Sequence, residues 1–296
     1  MALKRVALSD RAWCVDHATS VAVVENDRRA FMVDAGLDEN LARKMVNDLA
    51  QRGIALEAVV VTHAHADHFG GAAFAAARTG ARVLAPAVDA LTLGHPDLEP
   101  WTLWAAAPPP DVVNKFLRGP ETPVNATLAP GPATLAGLDV TVHALPGHTP
   151  GQIGVGADGV LFVADALLGE AVLAKHPVPF SVDPDAARAS AARVAGLGYD
   201  VVHAYHGGRV SDVSALVAMN VAAYDAAEAA ALEAFDAPRG VEEAFARVAS
   251  RWPSPPGTVG QWVLDAASFR GTVAALARRG RLAPVLERGA LLWKRA

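Results

Sequence analysis

The sequence predicts an α+β fold with a small helical appendage at its carboxy end, and three observations predict it. Short apolar runs alternate with helical periodicities through roughly the first 210 residues. The final third turns helical before a short hairpin. Charge divides in the same way: residues 236–296 carry 10 basic and 5 acidic side chains, against 16 basic and 26 acidic in the first 235. Such an asymmetry marks a terminal segment that differs in kind from the rest.

Residues 21–24 and 30–33 are β-type runs separated by Glu25-Asn26-Asp27, a hairpin signal. Residues 37–52 place Leu41, Met45, Val46 and Leu49 at helical spacing, and Gly53 stops that helix. A buried strand at 58–61, an alanine-rich helix at 71–78 closed by Gly80, and a strand at 82–85 follow. Residues 86–130 break the alternation with many prolines, among them Pro108-Pro109-Pro110, and with Trp101, Trp104 and Phe116. The aromatics favour an ordered excursion, either a flap anchored by its tryptophans or a lid that offers substrate an apolar wall. Strand patterns return at 138–144, 153–155 and 160–163, then a helix at 184–195 and a strand at 201–204. Helices at 217–235, 242–251 and 268–279 lead to short strands at 282–286 and 290–294. These patterns divide the chain into 1–220 and 221–296, with the boundary inside 215–236.

The bulk properties limit the function classes. A hydrophobic fraction of 52% with 19% charged residues gives a substantial core and excludes wholesale disorder. Cys14 is the single cysteine, so no internal disulfide forms, which fits a reducing compartment. The stretch MALKRVALSDRAWC has no apolar run of signal-peptide length, and nowhere do about 18 uninterrupted apolar residues occur. A cytoplasmic protein without a membrane span is the expectation.

Chemistry concentrates in Thr62-His63-Ala64-His65-Ala66-Asp67-His68, directly after a strand. Three imidazoles and a carboxylate so close together are unsuited to a core and idle on a surface, whereas zinc-like ions take these donors. Alternate residues of an extended segment point the same way, so His63 and His65 can reach one ion together. Asp67 and His68, past the bend, suit a second ion. The missing side chains of Gly70 and Gly71 let backbone crowd against the site. His148 in Pro146-Gly147-His148-Thr149-Pro150-Gly151, Asp165 and His206 each lie just past the end of a predicted strand, where such folds gather catalytic groups.

The order THAHADH, PGHTPG, VADALLG and AYHGG, with Phe31-Met32-Val33-Asp34-Ala35-Gly36 upstream, resembles the metallo-β-lactamase superfamily over roughly residues 15–210, and its glyoxalase II-like hydrolases in particular. The resemblance implies a four-layer αββα sandwich with two divalent ions, zinc by default and manganese or iron as alternatives, between the sheet edges. It implies that His63, His65 and His148 bind the first ion and Asp67, His68 and His206 the second, with Asp165 bridging and Asp34 orienting a ligand histidine. Two ions sharing a water lower its pKa from about 15.7 to around 7, which makes hydroxide available at neutral pH. Asp67 or Asp165 would then handle the departing proton. The implied substrate is a small thioester, ester or lactone. No tyrosine stands within three residues after Asp165, where a group of lactonases in this superfamily has one, and this counts against the lactone. The alternatives are phosphodiester cleavage of RNA or DNA, which an acidic body disfavours, persulfide oxidation on a single iron, and a metal-stabilised scaffold.

His17, His95, His143 and His203 read as surface or hydrogen-bonded strand residues, with His203 facing away from His206. Lys175 and His176 are candidates to hold an anionic substrate tail, and Cys14 reads as an inert buried thiol. The carboxy-terminal helix-helix-hairpin order resembles a winged helix, yet its arginines are scattered. Packing on the catalytic domain or a homodimer contact is expected there before nucleic-acid binding, and a small molecule is the expected partner.

Overall fold

The computed structural model describes residues 3–15 and 17–296; Met1 and Ala2, which begin the amino-terminal stretch, and Asp16 lie outside the described residues. The first sheet runs in chain order through β1 (Arg5–Ala7), β2 (Ala12–Val15), β3 (Ala22–Asn26), β4 (Arg29–Val33), β5 (Ala55–Val60), β6 (Arg82–Ala85) and β7 (Ala126–Thr127). Strands β1 to β4 pair antiparallel and β4 to β7 parallel. Parallel neighbours need long crossovers, supplied by α1 (Glu39–Gln51), by α2 (Ala66–Phe69) with α3 (Ala72–Thr79), and by α4 (Ala87–Gly94) with α5 (Leu98–Trp104).

The second sheet has the order β8 (Gly131–Leu135), β9 (Leu138–Ala144), β10 (Ile153–Ala157), β11 (Val160–Ala164), β12 (Val201–Ala204), β13 (Gly208–Val210). Strands β11 and β12 are parallel, with α6 (Glu170–Lys175) and α7 (Pro184–Ala195) between them; the other pairs are antiparallel.

Alternation along single strands builds the layers. Ala30 and Met32 of β4 face α1 and join Met45, Val46 and Leu49, whereas Phe31 and Val33 face the second sheet and join Val142, Val155 and Phe162. On β11, Val160 and Phe162 point inward while Leu161 and Val163 meet Ala191 and Val194 of α7. The result is the four-layer αββα sandwich, with apolar side chains on both faces of each sheet.

His203 on β12 packs between the layers, its ring 5.6 Å from that of Phe162 and its Nε2 donating to Ser20 Oγ at 2.9 Å. Burial pushes its pKa down to about 4, below the ordinary 6.5. A depressed folded value means that its contribution is complete above pH 6.5 and is lost as pH falls through 4, a loss on the order of 3 kcal/mol. Urea unfolding at pH 7 and pH 4 checks this. His203→Gln, which keeps a donor for Ser20, is expected to lower stability at pH 7 and to flatten the pH step relative to the wild type.

Residues 86–130 are more regular than their prolines suggest, since they hold α4, α5 and β7. Trp101, Trp104 and Phe116 are exposed, at 51%, 38% and 59%, so none of them makes a closed wall. Leu103, Val112 and Leu117 of this excursion pack instead on Val263 of the carboxy-terminal segment.

That segment comprises α8 (Val213–Ala234), α9 (Val241–Ala249), α10 (Val259–Arg278) and the hairpin β14 (Leu282–Glu287) and β15 (Ala290–Arg295). Both α8 and α10 begin earlier than their apolar periodicity, because each has an N-cap: the Asp212 carboxylate accepts from Ala215 N at 2.9 Å and Thr258 Oγ1 from Gln261 N at 3.2 Å. Phe235, Phe245, Phe269, Leu276 and Leu282 form a core of their own here. Among the described residues α8 alone is long and apolar enough, by length and composition, to cross a membrane. Ten of its 22 residues are alanine, and its Glu228 pairs with Arg188 of α7 and with Arg279.

Candidate metal centre

The loop that follows β5 carries His63 and His65, and α2 begins at Ala66, so one short bend and one turn of helix present four functional side chains. Close backbone contact sets their height. Ala35 N donates to His68 O at 2.6 Å, and a β-carbon on Gly70 would lie 1.9 Å from Leu37 O. Only glycine lets the turn at 34–37 lie this close against α2. His148 sits in the turn between β9 and β10, Asp165 directly after β11, and His206 after β12. Ala164, just before Asp165, holds a left-handed φ of 49°, a strained setting that turns the carboxylate off the strand.

The structure brings all seven of these side chains together. His65 Nδ1 lies 3.0 Å from His63 Nε2 and 2.9 Å from His148 Nε2. His206 Nε2 lies 3.1 Å from Asp67 Oδ2. Asp165 stands between the groups: Oδ1 is 3.4 Å from His68 Nε2, and Oδ2 is 3.4 Å from His148 Nε2 and 3.6 Å from His206 Nε2. Within each of three trios (His63, His65 and His148; His63, His68 and Asp165; Asp67, His68 and His206) the donor atoms lie within 4.8 Å of one another. His68 does not turn away from His63 as the bend suggests; their ring centroids are 4.0 Å apart.

Each imidazole is held at the nitrogen that faces away from this cluster, which fixes its orientation and directs the other nitrogen inward. Thr62 Oγ1 gives its proton to Asp34 and lies 3.1 Å from His63 Nδ1, so it accepts there. His68 Nδ1 meets Asp34 Oδ2 at 2.8 Å, His148 Nδ1 the carbonyl of Phe180 at 2.9 Å, and His206 Nδ1 the carbonyl of Ala18 at 3.2 Å. His65 is turned the other way round, with Nε2 3.5 Å from Glu99 Oε1.

Electrostatics separate the two halves. Burial, and then the neighbouring imidazoles, push His63 down and hold His65 at about 3; burial also lowers His148. This trio is neutral at pH 7 and offers bare nitrogens. Burial acts the same way on His68 and His206, but Asp165 and its fellow carboxylates outweigh it, raising His68 and placing His206 at about 9. Burial raises Asp67, yet His68 and His206 prevail and hold it at about 2.

The donor chemistry fits divalent ions, being nitrogen and carboxylate oxygen throughout. His68 Nε2 and Asp165 Oδ1 are buried and make no hydrogen bond, although they face each other. A buried polar atom without a partner is costly, and one ion would satisfy both.

Four neighbours of the site are not apparent in the sequence. Glu99 arrives from α5, its carboxyl pushed up to about 8 by burial and then by Asp89. Asp89 of α4 accepts from Ala64 N at 2.9 Å and from Thr149 Oγ1 at 3.4 Å, joining the two histidine-bearing loops. Phe180 covers His65 and His148 at 5.1 and 5.2 Å, and Tyr205 stacks on His68 at 3.8 Å. A lone Glu or Asp in a proline-rich stretch has no local signal, whereas Tyr205 beside His206 could have been suspected. A cleft of about 420 Å³ opens beside His206, lined by His17, Ala18, Val172 and Arg209 among others. His95 is exposed, and His143 bonds Tyr199 Oη at 2.8 Å.

The sequence profile of the metallo-beta-lactamase superfamily matches residues 15–206. A hydroxyacylglutathione hydrolase of Dechloromonas aromatica is 33% identical over 142 residues, 48% of this chain and 41% of that protein. The chain thus matches less than half the length of that relative. A metallo-beta-lactamase family protein from Thermus thermophilus superposes with a TM-score of 0.76 at 21% identity, covering 98% of this chain and 100% of the other. A beta-lactamase domain protein from Burkholderia ambifaria gives 0.72 at 16% identity, covering 99% and 93%. At these identities the two structures speak for the fold alone.

Proposed function

The chain belongs to the metallo-beta-lactamase superfamily, and on that premise we propose that it is a cytoplasmic, binuclear metal-dependent hydrolase of a small thioester, ester or lactone. In this reading His63, His65 and His148 would hold one ion and Asp67, His68 and His206 the other, with the Asp165 carboxylate placed between the two groups. The observation that carries it is the pair of buried, unpartnered atoms His68 Nε2 and Asp165 Oδ1, enclosed by nitrogen and oxygen donors. Zinc suits these donors, as do manganese and iron. When bound, such ions lower the pKa of a water into the neutral range and draw charge from a carbonyl oxygen.

The chain's own residues do the rest. Asp67 or Asp165 would relay the proton released as water adds to the acyl carbon. The C–O bond forms, the C–S bond of a thioester breaks, and the proton passes to the leaving thiolate. Phe180 shields the side bearing His65 and His148 from bulk water. Lys175 ends α6 and His176 follows it; burial, then Lys175 and His206, hold the His176 imidazole below its ordinary value, so Lys175 is the residue that would supply charge to an anionic tail. The relative named as a hydroxyacylglutathione hydrolase favours the thioester within this class. We propose also that 1–220 form the catalytic unit and 221–296 a second unit with its own core, the boundary falling within the continuous helix α8.

Zinc-loaded protein is expected to hydrolyse a member of a panel of acyl thioesters, esters and lactones. Removing the metal with a chelator is expected to reduce kcat by about a hundredfold or more, and adding zinc back to restore it. Turnover of a phosphodiester alone, or oxygen uptake on persulfide by iron-loaded protein, would replace this reading.

A further inference from the structure

We propose that the carboxy-terminal helix α10 is a working part of the metal centre: through Gly271 it sets the strap 180–183, and the strap sets His148. The inference rests on the reading of His148 as a metal ligand.

Four hydrogen bonds within four residues tie the strap to the turn that bears His148. Phe180 O lies 2.9 Å from His148 Nδ1. Val182 N donates to Gly147 O at 2.9 Å and to His148 O at 3.4 Å, and Asp183 N donates to Gly147 O at 3.0 Å. The turn and the strap therefore move together.

On the other side of the strap stands α10, and the contact is made by a residue without a side chain. A β-carbon on Gly271 would lie 2.9 Å from Ser181 O and 3.2 Å from Val182 O. Both are backbone atoms, which cannot swing aside as the end of a long side chain would. Two further contacts clamp the strap from the same helix. Arg278 reaches Asp183 Oδ1 at 2.6 Å, and buried Val263 belongs to the apolar cluster on which Phe180 packs.

The chemical consequence is specific. Donation from His148 Nδ1 to the Phe180 carbonyl leaves Nε2 bare and aimed at His65 and Asp165. A carbonyl displaced by a few tenths of an ångström frees that ring to rotate, and its ligand nitrogen no longer arrives pre-aimed. His68 and His206 are held by other anchors, Asp34 and the carbonyl of Ala18. Disturbance at Gly271 is therefore confined to the half of the site that contains His148. Gly271 is a positioning residue.

The test is Gly271→Ala, read in two ways. Stepwise zinc affinities by chelator competition are expected to show one ion bound about tenfold or more weaker and the other within about twofold of wild type. Nitrogen NMR of the metal-free protein is expected to show the His148 ring resonances displaced and those of His68 unmoved. Ala274→Gln, on the exposed face of α10, is expected to change neither. A folded Gly271→Ala protein with both affinities and the His148 resonances unchanged overturns the inference, and so does an equal weakening of both ions. Should Gly271→Ala fail to fold, Val263→Ala takes its place, with the same expected result and the same two results against it. A wild type that binds no zinc, with His148 resonances that still move, would sink the proposed function and leave the coupling of α10 to His148 standing.

Discussion

Asp165→Asn is expected to collapse turnover, on the order of a thousandfold in kcat, while the protein stays folded. The substitution is nearly isosteric, so the packing after β11 survives. What disappears is the charge that lies 3.4 Å from His68 and His148 and 3.6 Å from His206. That carboxylate is the largest raising influence on both His68 and His206, so its loss lets His206 fall from about 9 toward its ordinary value. An amide also turns two N–H donors toward imidazole nitrogens that must stay free for a metal. Elemental analysis is expected to find about two ions in the wild type and about one in the variant. A variant with both ions and undiminished turnover would remove Asp165 from the site.

Asp34→Ala is expected to strike stability first and activity through it. Asp34 is 1% exposed and accepts from Thr62 N at 2.8 Å, from Thr62 Oγ1 at 3.0 Å and from His68 Nδ1 at 2.8 Å. Truncation leaves three buried donors without an acceptor and asks alanine to hold a φ of 63°. Together these cost about 3–5 kcal/mol, a fall in melting temperature of roughly 10 °C. Asp34→Asn keeps the Thr62 acceptor and tolerates the left-handed backbone, so it is expected to lose much less stability while disturbing His68. Thermal unfolding of the two metal-free variants side by side distinguishes these roles. Equal melting temperatures for Ala and wild type would show that the buried network contributes nothing.

How far the sequence speaks for this site depends on how local each signal is. His63, His65, Asp67 and His68 lie within six residues, so their spacing alone announces a cluster. His148, Asp165 and His206 are single residues whose value depends on strand ends, and those ends are legible because β9 alternates apolar with polar residues and β11 and β12 are short, largely apolar runs. Glu99 and Asp89 reach the site only through the packing of their helices, α4 by Leu93 on the first sheet's core and α5 by Leu103 against Val263, and proline-rich sequence hides that. Sheet edges are equally quiet: β1 and β8 alternate between exposed and half-buried positions and carry no continuous apolar run. Helix starts at Val213 and Val259 are marked by polar caps instead of by periodicity. The contact of Gly271 with the strap has no sequence signal, since a glycine in a helix looks the same whether it is tolerated or required.

The most direct test of the central claim is the location of the ions themselves, by diffraction from zinc-loaded crystals at the zinc absorption edge. Two anomalous peaks about 3.5–4 Å apart are expected. One should lie about 2.0–2.1 Å from nitrogens of His63, His65 and His148. The other should be shared by Asp67, His68 and His206, with the Asp165 carboxylate reaching both. A protein that turns over its substrate with no peak in this cluster, or with zinc bound only elsewhere, would contradict it.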